Sequence, residues 1–203
     1  MMKLELSGLA IAALMMFGSH AALAQDSPRV AVSGVVAAVT DTEVDVTTTD
    51  GSKVAVKLGD KTRYTWTMAM SIDDIKAGSY IGAGAMSDGK GGNTAVEITV
   101  FPESARGAAE GFRQWNQGPD STMTNGTVSQ VVGTSNRTLT VTYNGGQQAV
   151  TIPDGTPITT FETADKTALT VGAHVTVRAL KADDGTLTAG FVSVGKDGYV
   201  PKG

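Results

Sequence analysis

Ile75-Lys76-Ala77-Gly78-Ser79-Tyr80-Ile81 and Leu169-Thr170-Val171-Gly172-Ala173-His174-Val175 are one segment written twice, apolar at both ends with a Gly in the same place. Working outward at the same offset, Ala85 meets Ala179, Ala95 meets Ala189, Ile98 meets Val192 and Val100 meets Val194. Upstream, after a small shift, Gly34-Val35-Val36 and Val39 meet Gly126-Thr127-Val128 and Val131. Matches that hold at both ends of a unit of about 70 residues read as a tandem repeat.

Each unit reads as strands, because apolar residues alternate with polar ones and turn residues separate the runs. The first unit predicts strands over 30–39, 44–48 and 54–58, with Asp50-Gly51 as a hairpin turn between the last two. One or two helical turns follow over 71–78, with Ser71 as N-cap, Asp74 three residues on and Gly78 beyond the last turn. Strands over 80–86 and 94–101 complete the unit. The second unit predicts strands over 123–132, 139–143, 149–152, 175–180 and 187–194, with a short helical piece near 164–169. Three strands, a short helix and two strands is the order of the OB-fold. The fold class is therefore all-β: two tandem five-stranded OB-like barrels over 28–101 and 123–196, each with a short helix between strands 3 and 4. A pair of SH3-like barrels is the alternative. Residues 102–122 read as an ordered connector and 197–203 as a C-terminal tail.

The chain has 203 residues, no Cys, two His and a net charge of −4. Without Cys there is no disulfide framework, thiol nucleophile or Cys-type zinc site. The acidic balance argues against a nucleic-acid partner, which needs a basic stripe, and the Val/Thr-rich second and third strands lack one. At the start, Lys3 precedes an apolar run over 9–17, and Ala22-Leu23-Ala24 is a small-x-small cleavage pattern. That is a signal peptide over 1–24, which implies a periplasmic or secreted mature chain. No later run approaches the roughly 20 apolar residues of a membrane span. Of the two His, only His174 remains after cleavage; it aligns with Tyr80 and reads as structural.

A longer motif runs through the connector: Phe101-Pro102-Glu103-Ser104-Ala105-Arg106-Gly107, then Glu110-Gly111, Trp115, and Ser121-Thr122-Met123-Thr124-Asn125-Gly126. With the Asp74-Ile75-Lys76-x-Gly78 turn, it resembles an uncharacterised family of exported proteobacterial proteins with tandem OB-like β-barrel repeats. The family carries no established activity. Some relatives bear automated metal-transport labels, and relatives often have His where this chain has Thr99 and Phe112.

Candidate site residues fall in two groups. In the connector, Glu103, Arg106 and Glu110 sit at three- and four-residue spacing, which on a short helix pairs Glu103 with Arg106. Phe112 and Trp115 are large rings expected to pack this segment onto the barrels. In the second group, alternation puts Trp66, Met68 and Met70 on one face of an extended strand. Two thioethers beside an indole form a soft donor set suited to Cu(I), although Met and aromatic residues on a strand ordinarily belong to a core. Asp73-Asp74 and Asp183-Asp184 read as capping and turn residues, and the loop over 88–93 lacks calcium-loop spacing. No catalytic constellation emerges. The sequence thus leads to a non-enzymatic binding or scaffolding protein, with an envelope protein, peptide or glycan as partner, and to Cu(I) handling as the alternative.

Overall fold

The computed structural model describes residues 28–133 and 137–201, so the expected signal peptide lies outside the described residues. Twelve strands form one continuous sheet, and the only helical elements among the described residues are three 3-10 turns.

The first half contributes β1 (Arg29–Val39), β2 (Glu43–Thr48), β3 (Lys53–Ala69), β4 (Tyr80–Ser87) and β5 (Asn93–Val100). A short β6 (Gly111–Gln114) lies in the connector. The second half contributes β7 (Ser121–Val132), β8 (Arg137–Tyr143), β9 (Gly146–Ile152), β10 (Ile158–Ala164), β11 (His174–Lys181) and β12 (Leu187–Gly195).

A closed five-stranded barrel runs β1-β2-β3-β12-β11 and back to β1. All its seams are antiparallel except β3 on β12, which is parallel. Its core holds Val32, Val36, Val44, Val46, Val56, Leu169, Val177 and Val192, all buried. The remaining strands form a second ring, β4-β5-β9-β8-β7, whose β5–β9 seam is the single pair Thr94 with Thr151. β10 extends that seam by lying parallel to β5, with Ile158 opposite Ile98. Ile75, Ile81, Ile98, Val128, Leu139 and Ile152 fill this second core.

Both rings therefore take strands from both halves, and the expectation that 28–101 and 123–196 each close their own barrel is corrected. β3 is the physical reason. The sequence reading ends that strand at Leu58, but the strand continues for 17 residues. Its start, from Lys53 to Lys57, pairs with β2, β12 accompanies it from Lys57 to Thr67 in the first ring, and its end, from Tyr64 to Ala69, pairs on the other side with β10 beside the second. The chain leaving β3 is thus delivered to the second core, where Ile75 is buried, and β4 and β5 pair there. Thr67 lies opposite Phe161 at the middle of the β3–β10 crossing.

The expected helices are corrected too. Ile72–Asp74 is a single 3-10 turn capped by Ser71, whose Oγ accepts from the Asp73 N–H at 3.2 Å. Lys166–Ala168 is its counterpart, capped by Asp165. Each turn serves to insert the next apolar residue, Ile75 or Leu169, into a core.

Close backbone approach explains two glycines. A Cβ on Gly34 would overlap the Thr47 carbonyl oxygen, and one on Gly126 the Thr142 carbonyl oxygen. At these points β1 and β7 bend across a neighbouring strand, and each carries a bulge two to three residues later, between Val36 and Ala38 and between Val128 and Gln130.

Candidate functional site

The connector packs on the outer face of the second ring. Pro102 caps a 3-10 turn over Glu103–Ala105, and Arg106 follows it. Arg106 Nε donates to Glu103 Oε1 at 2.6 Å, and Nη2 donates to the Gly78 carbonyl at 2.9 Å. Its guanidinium lies 5.9 Å from the Tyr80 ring centroid. The ion pair lowers the Glu103 pKa and raises that of Arg106. The expected Glu103–Arg106 pair is present, but its work is local: it fastens the connector to the turn before β4.

The next residues are held from below. Tyr80 Oη and Asn125 Nδ2 both donate to the Ala108 carbonyl, at 3.2 and 3.1 Å. Burial pushes the Tyr80 phenol up, with Glu110 adding to the shift and Arg106 and Arg113 opposing it. Tyr80, Phe101 and Phe161 form a chain of edge-to-face rings with centroids 5.5 Å apart. Glu110 Oε1 accepts from the Asn144 N–H at 2.9 Å, tying the connector to the β8–β9 turn. Sequence reasoning did not single out Phe101, Phe161 and Asn125. The only signal was the presence of Phe101 and Asn125 in the connector motif.

β6 then pairs antiparallel with β7, from Gly111 opposite Asn125 to Gln114 opposite Thr122. The two rings of this segment behave differently. Trp115 lies over Gly84 on β4, where a Cβ would come within 2.8 Å of the indole. Phe112 is 44% exposed, which corrects the expectation that it packs down. It alternates along β6 with Arg113, which stands opposite Met123, while Phe112 stands opposite Thr124.

The Trp66, Met68 and Met70 set does not gather. Trp66 packs against the first core and Met70 against the second, because β3 passes from one to the other between them. Met68 is half-buried opposite Thr160. Met70 lines a hollow of about 150 Å³ with Ile72, Ile152 and Pro153, where β9 breaks before β10. The donor set therefore does not fit a shared soft-metal site. His174 opens β11 opposite Val35.

A region that sequence reasoning missed lies on the outer wall of the first ring. There Arg63, Phe191, Arg178 and Ala31 stand side by side on β3, β12, β11 and β1. The Arg178 guanidinium is 6.0 Å from the Phe191 ring centroid. Lys57 and Lys61 extend the wall along β3, and Arg29 extends it along β1. In the second ring the same row reads Glu97, Gly84, Met123 and Arg113, with Trp115 above it. The signal was present when the two halves are set side by side: Arg178 falls where Gly84 does, and Phe191 where Glu97 does, one step from matched pairs.

Among the described residues no helix is long and apolar enough to cross a membrane, and no three His, Cys, Asp or Glu side chains cluster as metal ligands. No known protein family, characterised protein or solved structure compared with the chain matches it. The fold and geometry alone define the class: an all-β protein with a closed five-stranded barrel and further strands wound into the same sheet.

Proposed function

We propose that this is an exported, non-enzymatic binding or scaffolding protein of the periplasm. In this reading it is built from two OB-like barrels that have exchanged their last two strands, and it belongs to the exported proteobacterial family its connector resembles. Several observations support duplication with exchange. Gly34 pairs with Val175 as Gly126 pairs with Ile81. The irregularity between Arg178 and Ala179 recurs between Gly84 and Ala85. The parallel contact of β12 on β3 has its counterpart in β5 on β10. The interval between Pro153 and Pro157 then marks where the long third strand of one copy is broken in the other.

The observation that carries a binding role is the unequal covering of two equivalent walls. One lies under Trp115 and β6; on the other the C-terminal segment reaches the Ser33–Thr176 row, where Thr176 Oγ1 donates to the Pro201 carbonyl at 3.1 Å, and the neighbouring Arg63 and Arg178 stay exposed. The carboxyls of Asp50, Asp88, Glu103, Asp165 and Asp184 are each held low by local hydrogen bonds in turns and in the connector, where they fasten the backbone.

Site-specific photo-crosslinking in intact cells tests this reading. A crosslinker at Arg178 is expected to give a discrete adduct in the envelope fraction, with none from a control at Lys76. The mature chain is expected to start at Gln25. The same faint ladder from both positions would overturn the binding role.

A further inference from the structure

We infer that the N-terminal half of β1 is a docking edge for an acidic, extended peptide, which adds as a strand beside Arg29, Ala31 and Ser33. This inference rests on the binding role proposed above and names the partner's chemistry.

Backbone accounting comes first. The Pro28 carbonyl accepts from Lys181 N–H, and the Val36 N–H donates to the Ala173 carbonyl, so the even-numbered residues of β1 turn their backbone groups toward β11. In a strand, successive residues turn theirs to opposite sides, and Arg29, Ala31 and Ser33 therefore face away from β11. On that side β2 begins to pair only at Gly34, and no other described strand pairs there. Buried backbone groups must find partners, and an exposed row of them is a template for another chain.

The second ring shows what fits. Ser121, Met123 and Asn125 hold the corresponding places on β7, and there the edge is occupied. β6 pairs with Thr122 to Asn125, and Trp115 N–H donates to the Ser121 carbonyl at 2.9 Å. The molecule thus builds this contact once with its own connector; on the first ring the Ser33 hydroxyl meets Thr176, which the C-terminal Pro201 carbonyl holds, but no described strand pairs with the backbone of this edge. The mode is strand addition, in which main-chain bonds give affinity and alternate side chains give specificity.

Charge selects the occupant. A residue added opposite Ala31 would stand on the outer wall, diagonal to Arg29, with only the small Ala31 side chain between it and Arg178. Arg63 and Lys61 lie farther along the same wall. The wall also carries acidic groups: Asp60 beside Lys61 on β3, Glu43 opposite Lys57, and Asp184 in the β11–β12 turn, whose carboxylate feels Lys57; none of them lies on β1 or β11, beside Arg29 and Arg178. Asp50, at the β2–β3 turn, is already held by Thr48 and Ser52. A Glu or Asp opposite Ala31 satisfies the two arginines. β-Branched residues on either side of it continue the inward row of Val30 and Val32.

The test uses end-blocked hexapeptides with the mature protein: alternating Glu and Val, alternating Lys and Val, and alternating Glu and Pro. Fluorescence anisotropy is expected to show saturable, salt-sensitive binding of the Glu/Val peptide alone. Amide exchange should slow at Ala31 and Ser33 on binding and stay unchanged at Val30 and Val32, which already bond to β11. Ala31→Pro removes an N–H that no described residue uses, a substitution an edge strand tolerates. It should weaken binding roughly tenfold or more, the worth of one or two hydrogen bonds. Arg178→Glu should weaken it comparably without touching the backbone, so a folding defect in one variant leaves the other decisive. Equal binding of the Glu/Val and Glu/Pro peptides, or no exchange change at Ala31, would overturn strand addition. A discrete photo-adduct at Arg178 combined with no peptide binding would overturn this inference and leave the binding role standing.

Discussion

The outer walls of the two rings share a register and differ in what lies over them. On the second, Gly84 leaves room for Trp115, β6 closes the edge of β7, and the connector bonds to Tyr80, Asn125 and Asn144. On the first, Arg178 stands at the equivalent place beside Phe191, and the edge of β1 ends its pairing with β2 at Gly34. One backbone plan thus supports two surfaces, and the residue at a single wall position goes with the state of each. A glycine there accepts a ring from elsewhere in the chain, whereas an arginine fills the space with its own side chain and adds charge.

The strongest way to break this comparison is to damage one ring and watch the other. Gly34→Ala and Gly126→Ala each force a Cβ onto a backbone carbonyl, which cannot move away as a side chain could. We expect each to cost about 3 kcal/mol or more. Because each ring is completed by strands from the other half, urea unfolding followed separately by Trp66 and Trp115 fluorescence should remain one transition in both variants. Two separated transitions would show rings that fold independently, and would undo the exchanged arrangement.

That exchange was the least legible part of the fold. The strands, their turns and their inward residues could be read from alternation, because Val44, Val46, Val56, Leu139 and Val141 sit in cores as their periodicity demands. Alternation is blind to which hairpin closes which barrel, since β4–β5 and β11–β12 present the same inward pattern to either. The deciding feature was the passage of β3 through Gly59-Asp60-Lys61, where its register against β12 shifts and Thr62 Oγ1 donates to the Ala189 carbonyl at 2.8 Å across the bulge. Those residues read as a strand end. The candidate site was legible where contacts are local, as for Glu103 with Arg106, and where a large ring must find cover, as for Trp115. It was not legible for Arg63, Phe191 and Arg178, which are far apart in sequence and meet only through strand pairing.

Truncating the two connector rings should give unequal effects. Trp115→Ala uncovers Gly84 and removes the indole from β4, and we expect a loss of about 2 kcal/mol, below the range for fully buried Trp because this ring is only partly buried. Phe112→Ala, at an exposed edge, should stay within about 0.5 kcal/mol. Equal losses in denaturant melts would mean that β6, and not the ring on Gly84, holds the connector down.

The soft-donor residues divide along the same line. Trp66 belongs to the first core and Met70 to the second, so Cu(I) added to the protein should not produce saturable quenching of Trp66. The Met68→Ala, Met70→Ala variant should leave its emission unchanged. Met70→Ala alone should cost about 1–2 kcal/mol, because the side chain is only partly buried beside the hollow. Saturable quenching that the double variant abolishes would bring the three residues into one site and separate the rings less sharply than their cores do.

The smallest effect distinguishes the hairpin turns at the ends of the two walls. In the β4–β5 turn, the Asp88 carboxylate accepts from the Lys90 and Gly92 N–H groups, each at 2.8 Å, and these bonds lower its pKa from 3.8. In the β11–β12 turn, hydrogen bonds from Thr186 are the main cause for Asp184, with Lys57 on the cationic wall adding attraction. Both groups are depressed in the folded protein. Their contribution to stability is therefore present above the unfolded value near 3.8, and is lost as pH falls through the lower folded value. Salt screens the attraction of an exposed lysine and leaves short backbone bonds largely intact. Carboxyl NMR titration in low and in molar salt should thus move Asp184 back toward 3.8 while Asp88 stays in place. Lys57→Ala should reproduce that movement without salt. If Asp88 and Asp184 respond alike, the field of the first wall does not reach its own turn, and the charge that would select an acidic strand is weaker than the side-chain inventory implies.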